Sequence, residues 1–156
     1  DLSENYLASY LKEKTDEYGI KPNRVFLEVL ENINSEDSNY ANEQFIKLRD
    51  LGFGLAIDDF GAEASNLSRL MTLKADIIKI DGQFIKNLDC DINSKKIVET
   101  IVSLSQKMGA KTVAEFVHNE DIYNIVNKLG VDYSQGYYFS QPLPQVAKES
   151  EIAEAL

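Results

Sequence analysis

Polar and ionisable side chains recur near the ends of short apolar segments in this 156-residue sequence. Charged groups are costly among apolar residues unless they are paired, hydrogen-bonded or bound to a metal. Because the pattern repeats in five segments, it predicts one functional site rather than a scatter of surface acids. The residues in question are Glu28, Glu31, Asp58, Asp59, Lys79, Asp81, Glu115 and Gln135.

Carboxylates dominate this set, which includes no neighbouring Ser/His/Asp or Cys/His trio, so covalent nucleophilic catalysis is disfavoured. Oxygen ligands suit hard cations such as Mg²⁺, Mn²⁺ or Ca²⁺. Asp58 and Asp59 are adjacent and suited to hold two ions about 3.5–4 Å apart. Lys79 would then orient an attacking water or balance developing charge. The pattern predicts metal-assisted hydrolysis of a phosphate ester.

Several of these residues also have a purely structural interpretation. Glu31 would be a helix-capping or surface acid, Lys79 a counter-ion for the carboxylates, and Gln135 a buried amide satisfied by backbone. A nearby aromatic group is expected to pack in the core and at its rim, in preference to forming a platform for bases. Its members are Tyr133, Tyr137, Tyr138 and Phe139.

The elements that must position these residues alternate between strand and helix patterns. Strands are predicted over residues 24–31, 53–59, 76–81 and 111–116, and within 131–140. Helices are predicted from an N-cap at Ser3 to Gly19, over 38–51, 65–73 and 94–108, from a cap at Asn119 to 129, and after Pro144. Ile46 and Met71 are expected on the buried faces of their helices.

Strands that are separated by helices must run parallel, and strands that are apolar on both faces suit a sheet covered by helices. Two architectures fit this pattern. One is an open doubly wound sheet, and the other is part of a (β/α)8 barrel. In both, ligands bind at the carboxyl ends of the strands, where the polar residues are predicted to lie.

Composition narrows the partners. A net charge of −10 disfavours polymeric nucleic acid and anionic membrane, but it allows a small phosphorylated ligand if cations lie between the carboxylates and the phosphates. The sequence has no apolar run of the ~20 residues that a membrane span needs, so direct membrane insertion is not expected. The single cysteine, Cys90, fits a reducing compartment, and we expect a cytoplasmic location, either free or within a larger membrane-anchored signalling protein.

Five segments in order resemble the motifs of EAL domains, a family of cyclic di-GMP phosphodiesterases: FLEVLE, LAIDDFG, IIKID, TVAEFVHNED and DYSQGYYFSQPLP. The resemblance runs from about residue 3 to residue 144. It implies a partial TIM-type (β/α) barrel with five parallel strands and the helices outside. It also implies that the complete domain opens cyclic di-GMP to linear pGpG with two divalent cations, Mg²⁺ or Mn²⁺, while Ca²⁺ acts as an inhibitor or a substitute.

The resemblance implies a metal-binding role for four of the acids. Glu28 and Asp58 would be ligands of the first metal. Asp59 and Asp81 would serve the second, with Asp58 bridging the two ions.

The other residues of the set would act around the metals. The resemblance places Lys79 at the attacking water, Glu115 as a ligand or water-positioning acid, and Gln135 as a support for the water or the substrate. Glu31 would anchor the loop after Phe60 and bind no metal.

The sequence departs from the family pattern in three places. The strand with the signature Glu-Ala-Leu and the strand with a metal-binding Asn are absent, so we expect a single incomplete domain that lacks its N-terminal strands. The loop DDFGTGYSS reads DDFGAEASN, with Glu63 and Ala64 in place of Gly and Tyr. The segment AEGVE reads AEFVH, which puts His118 where a Glu is usual. A solvent-facing or hydrogen-bonded His118 is expected, and a loop-tuning role is the alternative.

Three functions are compatible with these features. The first is a phosphodiesterase whose 156-residue piece is inactive alone. The second is a catalytically silent module that binds cyclic di-GMP, and the third is an assembly scaffold. Since five strands cannot close a barrel, the open side is expected to be completed by a missing N-terminal segment or to form a homodimer.

Overall fold

The computed structural model describes residues 6–30, 38–62, 70, 71 and 73–143, with the backbone alone at 38–42. Within these residues, the helices are α1 (Leu7–Glu17), α2 (Ser38–Asp50), α3 (Gly82–Ile85), α4 (Ile92–Met108) and α5 (Glu120–Lys128). The strands are β1 (Phe26–Leu30), β2 (Gly54–Phe60), β3 (Ile77–Ile80), β4 (Lys111–Ala114) and β5 (Tyr133–Ser134). A 3-10 turn, Pro22–Arg24, leads into β1.

The five strands form one parallel sheet in the order β1-β2-β3-β4-β5. A doubly wound sheet reverses its strand order at a switch point, whereas a barrel keeps its strands in chain order. The observed order therefore selects the barrel. The predicted partial TIM-type fold with five parallel strands is confirmed.

The best-defined helices begin and end where capping chemistry predicts. Asn119 accepts a hydrogen bond from the Ile122 amide at the start of α5, as its predicted cap requires. Helix α4 begins at Ile92, two residues before the predicted start, because the Asp91 carboxylate accepts from the amides of Asn93 and Ser94. Gly109, at φ 74°, ends this helix in the left-handed conformation.

The core lies between the sheet and its helices. Ile78 and Ile80 of β3 are completely buried, and so are Val98 of α4 and Val126 of α5. Burial of apolar surface of this kind is the main favourable term in folding.

The predicted burial of two residues is wrong. Ile46 is 59% exposed and Met71 is 69% exposed. In α2 the buried side chains are Phe45 and Leu48, which are three positions apart and share a face, whereas Ile46 lies about 100° further round the helix.

Two strands end earlier than predicted. β3 stops at Ile80, because Asp81 is the N-cap of α3. β4 stops at Ala114, and Phe116 has φ 56°, which no regular strand allows. Helix α3 was not predicted, since four residues are too few to show a helical period.

A repeated contact joins neighbouring strands near their amino ends, which lie opposite the end that bears the predicted site. Asp76 immediately precedes β3, and its Oδ2 accepts from the Leu55 amide in β2 at 2.9 Å. Asp132 immediately precedes β5, and its Oδ2 accepts from the Thr112 amide in β4 at 2.9 Å. In both pairs the acceptor follows a helix and the donor is the second residue of the preceding strand.

Some predictions fall on residues outside the described part of the chain. They are the Ser3 cap, Glu31, the altered loop residues Glu63 and Ala64, most of the helix at 65–73, and the helix after Pro144. Among the described helices, none is both long enough and apolar enough to cross a membrane.

Candidate active site

Lys79 lies at the centre of a group of carboxylates at the carboxyl end of the sheet. Its Nζ is 2.8 Å from Oδ1 of Asp58, 2.9 Å from Oε1 of Glu115 and 3.2 Å from Oε2 of Glu28. The lysine side chain is only 10% exposed. The three acids come from β1, β2 and the residue after β4, so the parallel register of four adjacent strands builds this group.

The charge balance of the group determines the protonation of Lys79. Burial alone would lower the pKa of its ammonium group. The hydrogen bonds with Asp58, Glu115 and Glu28 outweigh burial and raise the pKa well above its usual range. These carboxylates therefore favour the protonated, cationic form of Lys79 near neutral pH.

A break in the regular pairing lets two consecutive aspartates serve the same site. Successive side chains of a strand normally point to opposite faces. Here the register between β2 and β3 shifts between Ile57 and Phe60, and Asp59 has a left-handed backbone with φ 53°. Oxygens of Asp58, Asp59 and Glu115 consequently lie within 4.8 Å of one another.

The three clustered carboxylates fit a hard divalent cation. All the donors are carboxylate oxygens, which Mg²⁺ and Mn²⁺ prefer. Burial raises the pKa of Glu115, and the charges of Asp58 and Asp59 raise it further, while Lys79 opposes the shift. Burial also raises the pKa of Asp59, with added repulsion from Asp58 and Asp81. A cation at this position would relieve that repulsion.

Asp81 lies near this cluster but was assigned the wrong local structure. It was predicted to end β3 on the face of Lys79, but it instead caps α3, and its Oδ1 accepts from the Gln83 amide at 2.6 Å. Its charge still reaches Asp59.

Gln135 lies at the start of the turn after β5, and its side chain is exposed, so the interpretation as a buried amide is wrong. Its backbone amide donates to the Ala114 carbonyl at 2.8 Å, and its carbonyl accepts from the Val117 amide at 3.0 Å. At Gly136 an added Cβ would lie 2.1 Å from the Val117 carbonyl oxygen, so only glycine fits there. These contacts fix Gln135 beside the residues that follow β4.

A cavity of about 330 Å³ adjoins Glu115, and its lining includes residues that were not predicted as part of the site. Glu115 and Gln135 line it together with Phe116, His118, Gly136 and Tyr137. The change from AEGVE to AEFVH marks this segment in the sequence, but that Phe116 lines a cavity is evident only from the structure. His118 is exposed and its Nδ1 is 3.2 Å from the Phe116 carbonyl oxygen, as expected for a solvent-facing or hydrogen-bonded histidine.

The aromatic group near Gln135 divides into two pairs. Tyr138 and Phe139 pack with Tyr123, as predicted for core and rim residues. Tyr133 and Tyr137 are mostly exposed, so the packing prediction is wrong for them.

The fold and this site together define a TIM-type α/β domain with an acidic, lysine-centred site at the carboxyl ends of its strands. The profile of the EAL domain family matches residues 1–142. The chain belongs to the EAL domain family.

Individual relatives agree with this assignment. The chain is 42% identical over 130 residues to the probable cyclic di-GMP phosphodiesterase PdeA of Escherichia coli K12, a match covering 81% of this chain and 17% of that protein. The solved complex of the PaMucR phosphodiesterase with cyclic di-GMP superposes with a TM-score of 0.83 at 31% identity, over 92% of this chain and 58% of the other. A manganese and cyclic di-GMP complex of Klebsiella pneumoniae BlrP1 gives a TM-score of 0.84 at 28% identity, over 90% and 36%. The chain thus spans about a sixth of the length of PdeA.

Proposed function

We propose that the complete domain containing this chain hydrolyses cyclic di-GMP to linear pGpG. The observation that carries the proposal is the position of Lys79, which is largely buried and ringed by Glu28, Asp58 and Glu115 from separate strands. Names of relatives support the same substrate, since PdeA is a probable cyclic di-GMP phosphodiesterase and PaMucR was solved with cyclic di-GMP.

Two divalent cations, Mg²⁺ or Mn²⁺, are proposed for this site, with Ca²⁺ as a substitute or inhibitor. Glu28 and Asp58 would hold the first, and Asp59 and Asp81 the second, with Asp58 shared. Asp81 is suited to this because the Gln83 amide occupies only its Oδ1 and orients the carboxylate. When bound, such cations polarise a phosphoryl group and lower the pKa of an attacking water.

The protein's own residues divide the remaining work. Lys79 keeps its proton, so it donates hydrogen bonds to the attacking water and to the charge that develops on the phosphate. Glu115 has a raised pKa and accepts a proton more readily than a free carboxylate, and we assign it to positioning and deprotonating the water. Gln135 supports the water or the substrate with its exposed amide.

The proposed reaction changes the bonds of one phosphodiester linkage. The water oxygen bonds to one phosphorus, the bond from that phosphorus to a ribose oxygen breaks, and that oxygen takes up one proton, which balances the proton that Glu115 removes from the water. One phosphate becomes terminal and one hydroxyl becomes free, which is the difference between cyclic di-GMP and pGpG.

A catalytically silent module that binds cyclic di-GMP is the second candidate. The observation that favours it is the segment after β4, where Phe116 and His118 replace the Gly and the second Glu of AEGVE. Their side chains line the cavity beside Glu115 and could admit the ligand in a pose that is not hydrolysed.

The two candidate functions can be distinguished by an assay of the complete domain, in which this chain is joined to the strands proposed to precede it. With Mg²⁺ or Mn²⁺ we expect hydrolysis of cyclic di-GMP to pGpG, which chromatography detects. We expect EDTA to stop this hydrolysis. Binding of cyclic di-GMP without any hydrolysis would favour the silent binding module over the enzyme. Absence of both cyclic di-GMP binding and metal binding would leave only the assembly scaffold.

We also propose that the described strands are part of one incomplete domain, which a preceding segment or a second copy completes. The support is that β1 and β5 each pair with a single strand within the described residues. A cytoplasmic location is proposed as well, in keeping with the single cysteine, Cys90.

A further inference from the structure

The cavity beside Glu115 has an aromatic wall. Phe116 and Tyr137 contribute rings to its lining, and both side chains are more than half exposed, Phe116 at 55% and Tyr137 at 67%. An exposed ring that lines an opening of about 330 Å³ is available to a flat ligand. The other aromatic residues nearby, Tyr138 and Phe139, pack on Tyr123 and are not.

Phe116 holds this position in an unfavourable backbone conformation. Its φ of 56° lies in the left-handed region, which glycine enters freely and which a bulky residue rarely enters. A non-glycine outlier of this kind is a reason to look for a function of the side chain. Since glycine would adopt this backbone conformation without strain, a role of Phe116 must come from its side chain.

Two neighbours fix the ring in place. The Nζ of Lys86 lies 4.0 Å from the ring centroid, which is a cation–π distance. Gly82 passes so close that an added Cβ would lie 2.1 Å from the ring. Both residues belong to the segment around α3, so the ring is held between this segment and β4 and is preorganised at the mouth of the site.

Polar groups complete the cavity. The Gln135 side-chain amide makes no hydrogen bond within the described residues, and Nε2 of His118 makes none there either. A cavity that combines aromatic faces with free donors and acceptors suits a heteroaromatic base. Its position beside Glu115 places such a base next to the phosphate-handling acids.

We propose that Phe116 is a stacking platform for one nucleobase of the cyclic dinucleotide, an inference that rests on the proposed function. The base lies against the ring, and the free groups of Gln135 and His118 face its edge. Base–aromatic stacking is sequence-tolerant and strong enough to set affinity. Phe116 therefore determines how tightly the substrate binds, without contacting the reacting phosphate.

The test compares variants in the complete domain. Phe116→Gly suits the left-handed backbone, so it removes the ring while keeping the fold. Phe116→Leu keeps apolar bulk but removes the aromatic face, and Phe116→Trp enlarges that face. Tyr18→Leu is the matched control, since Tyr18 is an exposed aromatic residue at the end of α1 that does not line the cavity.

Binding is measured by calorimetry with cyclic di-GMP in the presence of Ca²⁺, and Mn²⁺ binding is measured separately. We expect Phe116→Gly to raise Kd about tenfold, within the range reported for stacking contacts. Phe116→Leu should also weaken binding, Phe116→Trp should retain it, and the indole fluorescence should be quenched by the ligand. Mn²⁺ affinity and the Tyr18→Leu variant should match wild type.

Two failures are distinguishable. If the wild-type domain neither binds nor hydrolyses cyclic di-GMP, the proposed function is wrong and this inference goes with it. If wild type binds but Phe116→Gly binds as tightly, only the stacking role is wrong. Tighter binding by Phe116→Gly would show that the ring obstructs the cavity, which also overturns the proposal.

Discussion

At the scale of single residues, Lys79 is where stability and function meet. One ammonium group balances three carboxylates in a largely buried position. Removing one partner of such a group leaves uncompensated charge, which is costlier than losing a surface ion pair. Divalent cations supply the same positive charge, so the lysine and the metals should partly substitute for each other in stability.

Lys79→Met should therefore destabilise the domain by about 1–3 kcal/mol, a range reduced from that of fully buried pairs because Glu28 is largely exposed. Mn²⁺ should restore part of this loss, because it neutralises Asp58 and Glu115. Urea unfolding with Mn²⁺ and with EDTA measures both effects. Lys111→Met is the control, since Lys111 is an exposed lysine paired with Asp132, and it should show no dependence on Mn²⁺. A loss that Mn²⁺ leaves unchanged would argue against a cation at these acids.

Asp59 should show the opposite relation between stability and activity. Its pKa is raised by burial and by repulsion from Asp58 and Asp81, so its charge is unfavourable in the metal-free fold. Asparagine tolerates the left-handed backbone that Asp59 adopts.

Asp59→Asn is expected to leave the metal-free domain as stable as wild type or slightly more stable, a small effect because Asp59 is exposed and water screens its repulsion from Asp58 and Asp81. The same variant should lower the rate of hydrolysis by at least about 100-fold, because a ligand of the proposed second cation is lost. Thermal unfolding in EDTA and assays with Mg²⁺ give the two numbers. Asp89→Asn, at an exposed position outside the site, should alter neither. A clear loss of stability in EDTA would mean that Asp59 has a structural role.

These residues could be identified from the sequence because charged side chains stand out in apolar strands. Their arrangement could not, since Asp58 and Asp59 share one site only through a register shift and a left-handed backbone. Both depend on how β2 pairs with β3, which involves residues about twenty positions apart in the sequence. Phe116 was missed for the same reason, because its exposure follows from a backbone angle that no local pattern indicates.

At the scale of elements, the number and parallel direction of the strands were predictable from the pattern, whereas their order, their ends and the short helix α3 were not. Apolar runs between helical patterns give five parallel strands, and the alternation leaves few other folds. The ends of β3 and β4 depend on Asp81 capping α3 and on the turn at Phe116, which compete with the strand propensity of the sequence. Ile46 and Met71 were misplaced because apolar residues next to a buried face are not always buried themselves.

The repeated aspartate contact at the amino ends of the strands is an element-scale device. Asp132 joins the start of β5 to β4 by accepting from the amide and the hydroxyl of Thr112 and by pairing with Lys111. Burial opposes its ionisation, but these hydrogen bonds outweigh burial and lower its pKa. A carboxyl whose pKa is lower in the folded state adds stability at high pH, and this stability is lost as the pH falls through the folded pKa.

Asp132→Asn should therefore cost about 1–2 kcal/mol near neutral pH, where wild-type Asp132 is fully charged in both states. Below about pH 4 the wild-type carboxyl takes up a proton, first in the unfolded chain, and the difference between the two proteins should shrink. Urea unfolding at about pH 7 and about pH 3 tests the sign. A difference that stays constant or grows on acidification would show that the charge of Asp132 does not stabilise the fold.

At the scale of the whole molecule, the sheet that the described residues form has an unpaired edge on each side. β1 and β5 each have a single neighbour among the described strands, and apolar side chains at these edges, such as Phe26, Leu30 and Tyr133, are exposed. Unpaired strand edges invite pairing with another chain. A TIM-type barrel closes with eight strands, so the described part of this domain has the site's carboxylates but not a closed wall around them.

The 156-residue chain alone should therefore bind Mn²⁺ weakly and show no hydrolysis of cyclic di-GMP, and it should self-associate as its concentration rises. The reason is that the edges of β1 and β5 expose backbone donors and acceptors, and that the resemblance to EAL domains implies two further metal ligands on strands that are not among the described ones. Sedimentation over a range of concentrations and chromatographic detection of pGpG test both parts. The same chain preceded by the remaining strands should be monomeric at those edges and active. Turnover by the chain alone would show that Lys79 and its surrounding carboxylates are sufficient for catalysis, and a chain that stays monomeric would show that its edges are protected by residues outside the described part.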